Sequence, residues 1–274
     1  MPGKWYQGVN PQDGTALKDI DTTVAHPARV YDYWLGGKDN FAVDRAAAEE
    51  VLRARPAIRL NVRSNRAFLA RSVSYLTAEA GVRQFLDIGT GIPSANNTHE
   101  VAQSVIPAAR VAYVDNDPIV LSHARALLTS TSGPTSYIDA DLRDTAAVLA
   151  EAARILDFTR PVAIMLIAVL HLIPDEDDPW EIVATLMGAV PSGSYLVISH
   201  PASDVEAGSA AQAARRYNQL VASPMRRRSL DQVRRFFDGL DILDPGVVQL
   251  HQWRPADGEP VAPSSGYGAV GRKP

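Results

Sequence analysis

The segment that most constrains the fold is FLDIGTGIP at 85–93, where a short apolar run ends in Asp87 and opens into a turn with two glycines. Its length and flanking residues predict a buried strand. Gly89 and Gly91 let the backbone bend and approach a ligand that a side chain would exclude. A second predicted strand also ends in an acid, Asp115, and an acid at that position hydrogen-bonds ribose hydroxyls in nucleotide-type ligands. We therefore expect such a ligand to lie over the ends of these two strands.

Apolar segments alternate with helical patterns through most of the chain. Three helices are predicted within 27–80, and further strands follow at 110–114, 136–138, 162–168 and 192–200. Because helices separate successive strands, the pattern predicts a doubly wound, Rossmann-like α/β sheet with parallel strands. Two segments in the tail, VVQLHQW and SGYGAVGR, are predicted to pair antiparallel and bring the sheet to seven strands.

The length of 274 residues fits one large α/β domain with an extension. Residues 1–80 are predicted to form an N-terminal arm, mobile over 1–20, followed by a helical extension. Residues 81–274 are predicted to form the sheet domain, with a helical insertion at about 202–240.

Composition narrows the classes of function. A net charge of -4 gives no whole-molecule field that attracts nucleic acid, so DNA or RNA is not the expected partner. The sequence has no cysteine, which excludes disulfides, zinc thiolate sites and a cysteine nucleophile. No segment has the apolar length of a signal peptide or a bilayer-spanning helix, so we expect a cytoplasmic protein.

Two cofactor classes fit a glycine turn with a distal acid. A dinucleotide site requires G-x-G-x-x-G, whereas this turn continues from Gly89, Thr90 and Gly91 into Ile-Pro-Ser without a third glycine. Asp87 would repel a pyrophosphate but suits the ammonium group of a methionine moiety. The turn therefore favours S-adenosylmethionine, and an NAD-dependent oxidoreductase is the weaker alternative.

Four segments resemble the motifs of class I S-adenosylmethionine-dependent methyltransferases. DIGTGIP resembles motif I, YVDNDP motif II, IDADLRD the adenine-contacting motif III, and AVLHLIPD the segment after strand four. Their order and spacing match over about residues 82–272. More narrowly, HPARVYDYWLGGKDNF with GTGIPSANNTHEVAQ resembles a bacterial family of S-adenosyl methyltransferases without an assigned substrate.

The resemblance implies roles for residues at the first two strand ends. Asp87, Gly89 and Gly91 would surround the methionine and ribose, with Thr90 as a further contact in the same turn. Asp115 would accept hydrogen bonds from the ribose hydroxyls.

The resemblance also implies an adenine site. Asn116 would lie beside the adenine, Asp141 would accept a hydrogen bond from its amino group, and the backbone of Leu142 would complete that edge. Acids at strand ends often only cap helices, and Asp117, followed by proline, is better explained as such a cap.

The N-terminal helices offer two further candidates for cofactor binding. Tyr33 lies in an aromatic segment before Gly36 and could close over the cofactor as a lid, with an aromatic face near the sulfonium. The alternative is a helix whose aromatic residues only pack on the sheet edge. Arg63 and Arg66 are candidates to pair with the cofactor carboxylate, although such arginines are more often a solvated face.

Two histidines follow strands at the sheet edge where open α/β sheets bind ligands. His171 follows strand four and His200 follows strand five. Either could act as a general base if the acceptor must lose a proton, and the alternative is a histidine satisfied by local hydrogen bonds. His99, Glu100 and His123 have no metal-ligand spacing, so no metal site is predicted.

The acceptor is expected to be a small molecule. Strand four lacks the Asn/Asp-Pro-Pro-Tyr signature of amino-methylating DNA enzymes, and the absence of cysteine closes the covalent route to a cytosine carbon. The N-terminal helices and 202–229 are expected to form the acceptor pocket. The basic cluster PMRRR at 224–228 could hold an anionic substrate, although such runs are usually solvated. A non-catalytic protein that binds S-adenosylmethionine for regulation is the alternative from another class.

Overall fold

The computed structural model describes residues 20–127, 133–256 and 264–274, and the strands in these ranges form one eight-stranded sheet. The strands are β1 (Gln84–Ile88), β2 (Arg110–Asp115), β3 (Thr135–Asp139), β4 (Ala163–Ile167), β5 (Tyr195–Pro201), β6 (Asp241–Ile242), β7 (Val248–Gln249) and β8 (Gly266–Arg272). The helices are α1 (Pro27–Leu35), α2 (Ala42–Ala54), α3 (Ile58–Ala78), α4 (Thr98–Val105), α5 (Pro118–Leu127), α6 (Thr145–Ala152), α7 (Pro179–Gly188), α8 (Ala207–Asn218) and α9 (Leu230–Arg234).

The strand order is β3-β2-β1-β4-β5-β8-β6, with β7 paired to β8 off this path. Strands β1 to β5 are parallel, and β8 runs antiparallel to β5. The predicted doubly wound sheet with an antiparallel end is therefore confirmed. The order reverses between β1 and β4, which is the position where open α/β sheets bind ligands.

The predicted number of seven strands is wrong by one. The segment VVQLHQW forms only the two-residue β7 and then turns into a short 3-10 helix at Leu250–Gln252. Strand β6, which is also two residues long, was not predicted. Both strands are recognised by their pairing with β8. Two residues are too few to show a periodic pattern in the sequence.

The helix boundaries largely follow the capping signals in the sequence. Helix α5 begins at Pro118, and Asp117 accepts a hydrogen bond from the Ile119 N–H at 2.9 Å, so the predicted cap is confirmed. Helix α8 is shorter than predicted, because the chain on both sides of it forms turns.

Buried apolar residues pack on both faces of the sheet. A further cluster joins α1, α2 and α8 through Val30, Trp34, Val51, Ala213 and Tyr217. The N-terminal helices and the insertion therefore pack against each other, and residues of both line the cavity described below. The division of the chain at residue 80 stays a prediction.

The predicted mobile arm lies outside the described residues except for Ile20, which packs against the cluster of Ile92, Ile119 and Val120. Within the described part of the chain, no helix has the length and apolarity needed to cross a bilayer.

Candidate functional site

A cavity of about 540 Å³ lies at the carboxyl ends of β1, β2, β3 and β4, with α1 and α3 forming part of its wall. We call it the outer cavity. Most of the predicted site residues line it, although they come from four different strand ends. They are Asp87, Gly89, Thr90, Gly91, Asp115, Asn116, Asp141, Leu142 and His171.

The Asp115 carboxylate is held by backbone donors. The Gly91 N–H donates to Oδ2 at 2.8 Å, and the Asp117 N–H donates to Oδ1 at 3.0 Å. Burial raises the pKa of Asp115, and these two hydrogen bonds act in the opposite direction. A carboxylate oxygen has more than one lone pair, so both oxygens can accept a further hydrogen bond from a ligand.

The turn after β1 needs glycine for two different reasons. Gly89 has a φ of 73°, and a Cβ atom there would lie 2.3 Å from Cγ2 of Val169. Gly91 has a φ of 63°, and a Cβ atom there would meet no atom within 4 Å, so the turn borders open space. Between them, the Thr90 hydroxyl oxygen is buried and has no hydrogen-bond partner in the described part of the chain. The turn therefore leaves room and a free hydroxyl for a ligand.

Asp87 is 4% exposed and accepts a hydrogen bond from the Thr98 hydroxyl at 2.6 Å. Burial raises its pKa to about 6, although the Thr98 hydrogen bond and the Arg66 charge oppose that shift. A cationic ligand group beside this carboxylate would lower its pKa again and be attracted by the ionised form.

On the predicted adenine side, the Asp141 carboxylate is held by a side chain, whereas backbone groups hold Asp115. Arg143 holds the Asp141 carboxylate through Nη2 at 2.6 Å and through its backbone N–H at 2.9 Å. These contacts lower the pKa of Asp141. Asn116 donates to the same carboxylate at 3.4 Å, and Leu142 is a buried part of the wall. A ligand would share Asp141 with Arg143, whereas among the described residues no side chain donates a hydrogen bond to Asp115.

The two histidines differ in what their ring nitrogens contact. The Nδ1 atom of His171 is buried without a hydrogen-bond partner, and burial together with the Arg228 charge lowers the pKa of this histidine to about 4. His200 is 1% exposed, with Nδ1 at 3.0 Å from the Pro201 carbonyl oxygen and Nε2 at 2.9 Å from Nη1 of Arg228. His200 lines the inner cavity, but protein groups contact both of its ring nitrogens, and its role as a base stays a prediction.

Tyr33 and Arg63 do not line the outer cavity, so the structure does not bring them together with the other predicted site residues. The Tyr33 hydroxyl donates to Glu49, and Arg63 is exposed. The reason is the phase of each helix, because Tyr31 and Trp34 on α1 and Arg66 on α3 face the cavity instead. Helical spacing sets the angle between these side chains around each helix, but only the packing of the helices decides which of them faces the cavity.

Polar contacts fix α1 in the wall of the cavity. The Nδ1 atom of His26 lies 2.8 Å from Oδ2 of Asp117. The Tyr31 hydroxyl accepts a hydrogen bond from Asn65 Nδ2 at 2.9 Å, and Asn65 Oδ1 accepts one from the Ser199 hydroxyl at 2.5 Å. Asn65 was not among the predicted site residues, because a single amide on an amphipathic helix has no distinguishing pattern in the sequence.

A second cavity of about 120 Å³ adjoins the first, and we call it the inner cavity. Residues of α1, α2, α3 and α8 line it, together with residues that follow β4 and residues at the end of β5. The two cavities share the side chains of Tyr31, Trp34, Asn65, Ala168, His171, Tyr217 and Met225. Ala168 has a φ of 53°, and such backbone conformations in residues other than glycine cluster at functional sites.

Across the described ranges, no group of three or more histidines and acids is arranged to hold a metal ion.

The fold and the site together define a class. A sheet that reverses its order between β1 and β4, ends in an antiparallel strand and holds acids of β1 and β2 beside a glycine turn is that of a class I S-adenosylmethionine-dependent methyltransferase. The chain belongs to the S-adenosyl methyltransferase family, which it matches over residues 13–274. S-adenosylmethionine is therefore the cofactor.

Two solved structures are similar over nearly the whole chain. A DUF574 family protein from Streptomyces avermitilis is 46% identical, with 93% of this chain and 100% of that chain covered and a TM-score of 0.89. A protein from Thermobifida fusca named as a methyltransferase is 39% identical, with 97% and 99% covered and a TM-score of 0.86. No curated protein matches the chain.

Proposed function

We propose that the protein transfers the methyl group of S-adenosylmethionine to a small-molecule acceptor that binds in the inner cavity. The observation that supports this most strongly is the shared wall between a cavity of about 540 Å³ and one of about 120 Å³. The larger cavity has the strand ends and acids that suit the cofactor. The smaller one has a largely apolar wall, to which α1, α2, α3 and α8 contribute, and suits a compact molecule. Direct transfer requires the two ligands to be adjacent, and adjoining cavities provide that arrangement.

The residues of the outer cavity fit the cofactor. Asp87 would bind the ammonium group of its methionine part, and Asp115 would accept hydrogen bonds from the ribose hydroxyls. The unpartnered Thr90 hydroxyl would gain a partner, and the open space beside Gly91 would admit the ligand next to the backbone. Asn116, Asp141 and Leu142 would contact the adenine.

When bound, S-adenosylmethionine supplies a methyl group on a positively charged sulfur. His171 would accept a proton from a hydroxyl or amine of the acceptor. Burial and the Arg228 charge lower its pKa, which keeps the imidazole neutral at pH 7 but also makes it a weak base, so it would accept the proton only as the methyl group transfers. Enclosure of both ligands by α1, α3 and α8 would exclude water and fix their orientation, from which methyl transfer gains much of its rate.

The proposal has a direct test. Calorimetric titration with S-adenosylmethionine, S-adenosylhomocysteine and NAD should give binding of the two adenosyl compounds alone. The protein should then be incubated with S-adenosylmethionine labelled on its methyl group and an extract separated into small-molecule and macromolecular fractions. We expect label in the small-molecule fraction. Label confined to protein or nucleic acid would contradict a small-molecule acceptor, and no transfer to either fraction would favour the regulatory alternative.

A further inference from the structure

We infer that the acceptor is a compact carboxylic acid with a single ring and a hydroxyl group. It would bind in the inner cavity with its carboxylate toward Arg55 and Arg227. This inference rests on the proposed function, because it assumes that the methyl acceptor occupies the inner cavity. It adds the chemical class of the acceptor and a pair of residues that select it.

Size and polarity define the body of the acceptor. The inner cavity measures about 120 Å³, and an apolar protein cavity of about 150 Å³ is known to bind benzene. Its wall is largely apolar, which favours a ring over a flexible polar chain. The buried apolar part of the wall includes Trp34, Val51, Val62, Tyr217 and Leu250.

Charge defines one end of the acceptor. The residues that line the inner cavity include Arg55 and Arg227 but no aspartate or glutamate among those described. Arg55 is 8% exposed, and its Nη2 donates to Glu206 at 2.6 Å and to the Ser265 hydroxyl at 2.5 Å. Glu206 compensates part of the Arg55 charge, so the remaining positive charge on this apolar wall lies mainly on Arg227 and attracts an anion that can reach both side chains.

Arg227 in particular lacks a close counterion. Its Nη2 donates to the Val205 carbonyl oxygen at 3.3 Å, and within the described part of the chain no carboxylate lies at ion-pair distance from it. Burial and the Arg55 charge lower its pKa, while Asp204 and Glu206 act in the opposite direction from farther away. A carboxylate on the acceptor would relieve the repulsion between the two arginines.

Two unpartnered donors belong to side chains of the same wall. The Nε atom of Arg55 and the Nδ2 atom of Asn61 are buried and have no hydrogen-bond partner among the residues that the structure describes. Asn61 is oriented by its Oδ1 atom, which accepts a hydrogen bond from the Ser265 N–H at 3.1 Å. Buried donors without partners cost free energy, so a ligand oxygen that accepts from them stabilises the complex. Carboxylate oxygens accept hydrogen bonds and donate none, which matches these groups.

His171 defines the other end of the acceptor, because it lies in the wall that the two cavities share. A hydroxyl there would meet the unpartnered Nδ1 atom. In the transfer, the hydroxyl oxygen forms a bond to the methyl carbon while the bond from that carbon to sulfur breaks. The electron pair of the broken bond stays on sulfur, which becomes neutral, and the hydroxyl proton passes to Nδ1 of His171.

The test measures binding and does not depend on turnover. Protein saturated with S-adenosylhomocysteine is titrated with 3-hydroxybenzoate and 4-hydroxybenzoate, and with the neutral amides of both as probes of the same shape. We expect at least one hydroxybenzoate to bind and its amide to bind about 10- to 100-fold more weakly, the range for loss of hydrogen bonds to a charged group. If neither acid binds, or if each amide binds as well as its acid, the inference is wrong.

Matched variants test the residues. Arg227→Met should weaken hydroxybenzoate binding by about 10- to 100-fold. Arg226→Met should not, because Arg226 is exposed, pairs with Asp175 and Glu176, and does not line the inner cavity. Equal effects of the two substitutions would overturn the assignment.

Asn61→Asp is a second variant in case Arg227→Met fails to fold. It keeps the acceptor for the Ser265 N–H but replaces the unpartnered donor with an anionic oxygen, so hydroxybenzoate binding should again fall at least about tenfold. Unchanged binding would contradict the inference. Failure of S-adenosylhomocysteine to bind in the first step would instead refute the cofactor assignment, so the two failures are distinguishable.

Discussion

The outer and inner cavities share a wall but differ in charge. Asp87 and Asp115 line the outer cavity, whereas Arg55 and Arg227 line the inner one. This difference suits a cationic cofactor on one side and an anionic acceptor on the other. It also gives each ligand a reason to avoid the other cavity, because a charge placed beside groups of the same sign is repelled.

The two cavities also differ in how the chain builds them. The outer cavity uses the ends of adjacent parallel strands, and its two main acids are separated by one helix and one strand. The inner cavity combines helices from the first third of the chain with α8 and the start of β8. The first arrangement follows from local order in the sequence, and the second depends on helix packing.

The largest expected effect is at the boundary between the cavities. His171→Ala should slow methyl transfer by about 10²- to 10⁴-fold, the usual contribution of a general base, with little change in S-adenosylhomocysteine affinity. Single-turnover assays with the small-molecule fraction that accepts label would measure the rate. Added imidazole should restore part of it, since the substitution leaves space where the ring was.

A rate within a few-fold of the unsubstituted enzyme would remove His171 from the chemistry. Loss of cofactor binding together with the rate would indicate a structural role instead.

The next largest effect is expected at Asp87 in the outer cavity, where a buried acid destabilises the protein without its cofactor. A pKa of about 6 for Asp87, against an ordinary value of 3.8, corresponds to about 3 kcal/mol at a pH above both values. Because the pKa of Asp87 is raised in the folded state, its contribution to the free energy of unfolding is fully present below about pH 4 and is lost as the pH rises through about 6. Asp87→Asn should therefore stabilise the protein without its cofactor at pH 8 by up to about 3 kcal/mol and change little at pH 4.

Urea unfolding at the two pH values measures this difference. Asp241→Asn, at an exposed acid of β6, is the matched control and should show no such gap. A gain for Asp87→Asn that is the same at pH 4 and pH 8 would show that ionisation of Asp87 is not its cause. In the presence of S-adenosylmethionine the advantage should disappear, because the variant no longer binds the ammonium group.

A smaller effect is expected at the second acid of the outer cavity. Asp115→Ala should weaken S-adenosylmethionine binding by about 1 to 3 kcal/mol, because the ribose hydroxyls lose a charged acceptor. Calorimetry gives the affinity. Asp139→Ala is the control, since Asp139 lies opposite Asp115 on β3 and does not line the cavity. Unchanged affinity for the Asp115 variant would place the ribose elsewhere.

The smallest effect concerns the helix over the outer cavity. Residues 26–40 should exchange amide hydrogens more slowly when S-adenosylhomocysteine binds, because α1 lines the cavity and would be held by the ligand. Helix α6 lines neither cavity and is the internal reference. Equal changes in both helices would indicate general stabilisation and would argue against α1 as a lid.

The sequence by itself predicted the fold class and the parts of the outer cavity. Asp87, the glycine turn and Asp115 follow directly from strand ends, and the alternation of strands and helices brings such ends to one edge of the sheet. These features depend on residues close together in the chain, so an isolated sequence reveals them.

Only the tertiary structure decided the rest. It distinguished Tyr31 from Tyr33 by the rotation of α1, paired His200 with Arg228, and brought Arg55 and Arg227 into one wall. It also defined the two-residue strands β6 and β7 through their pairing with β8. These outcomes depend on how distant segments pack, and helix spacing gives the relative directions of side chains without giving the element that they will face.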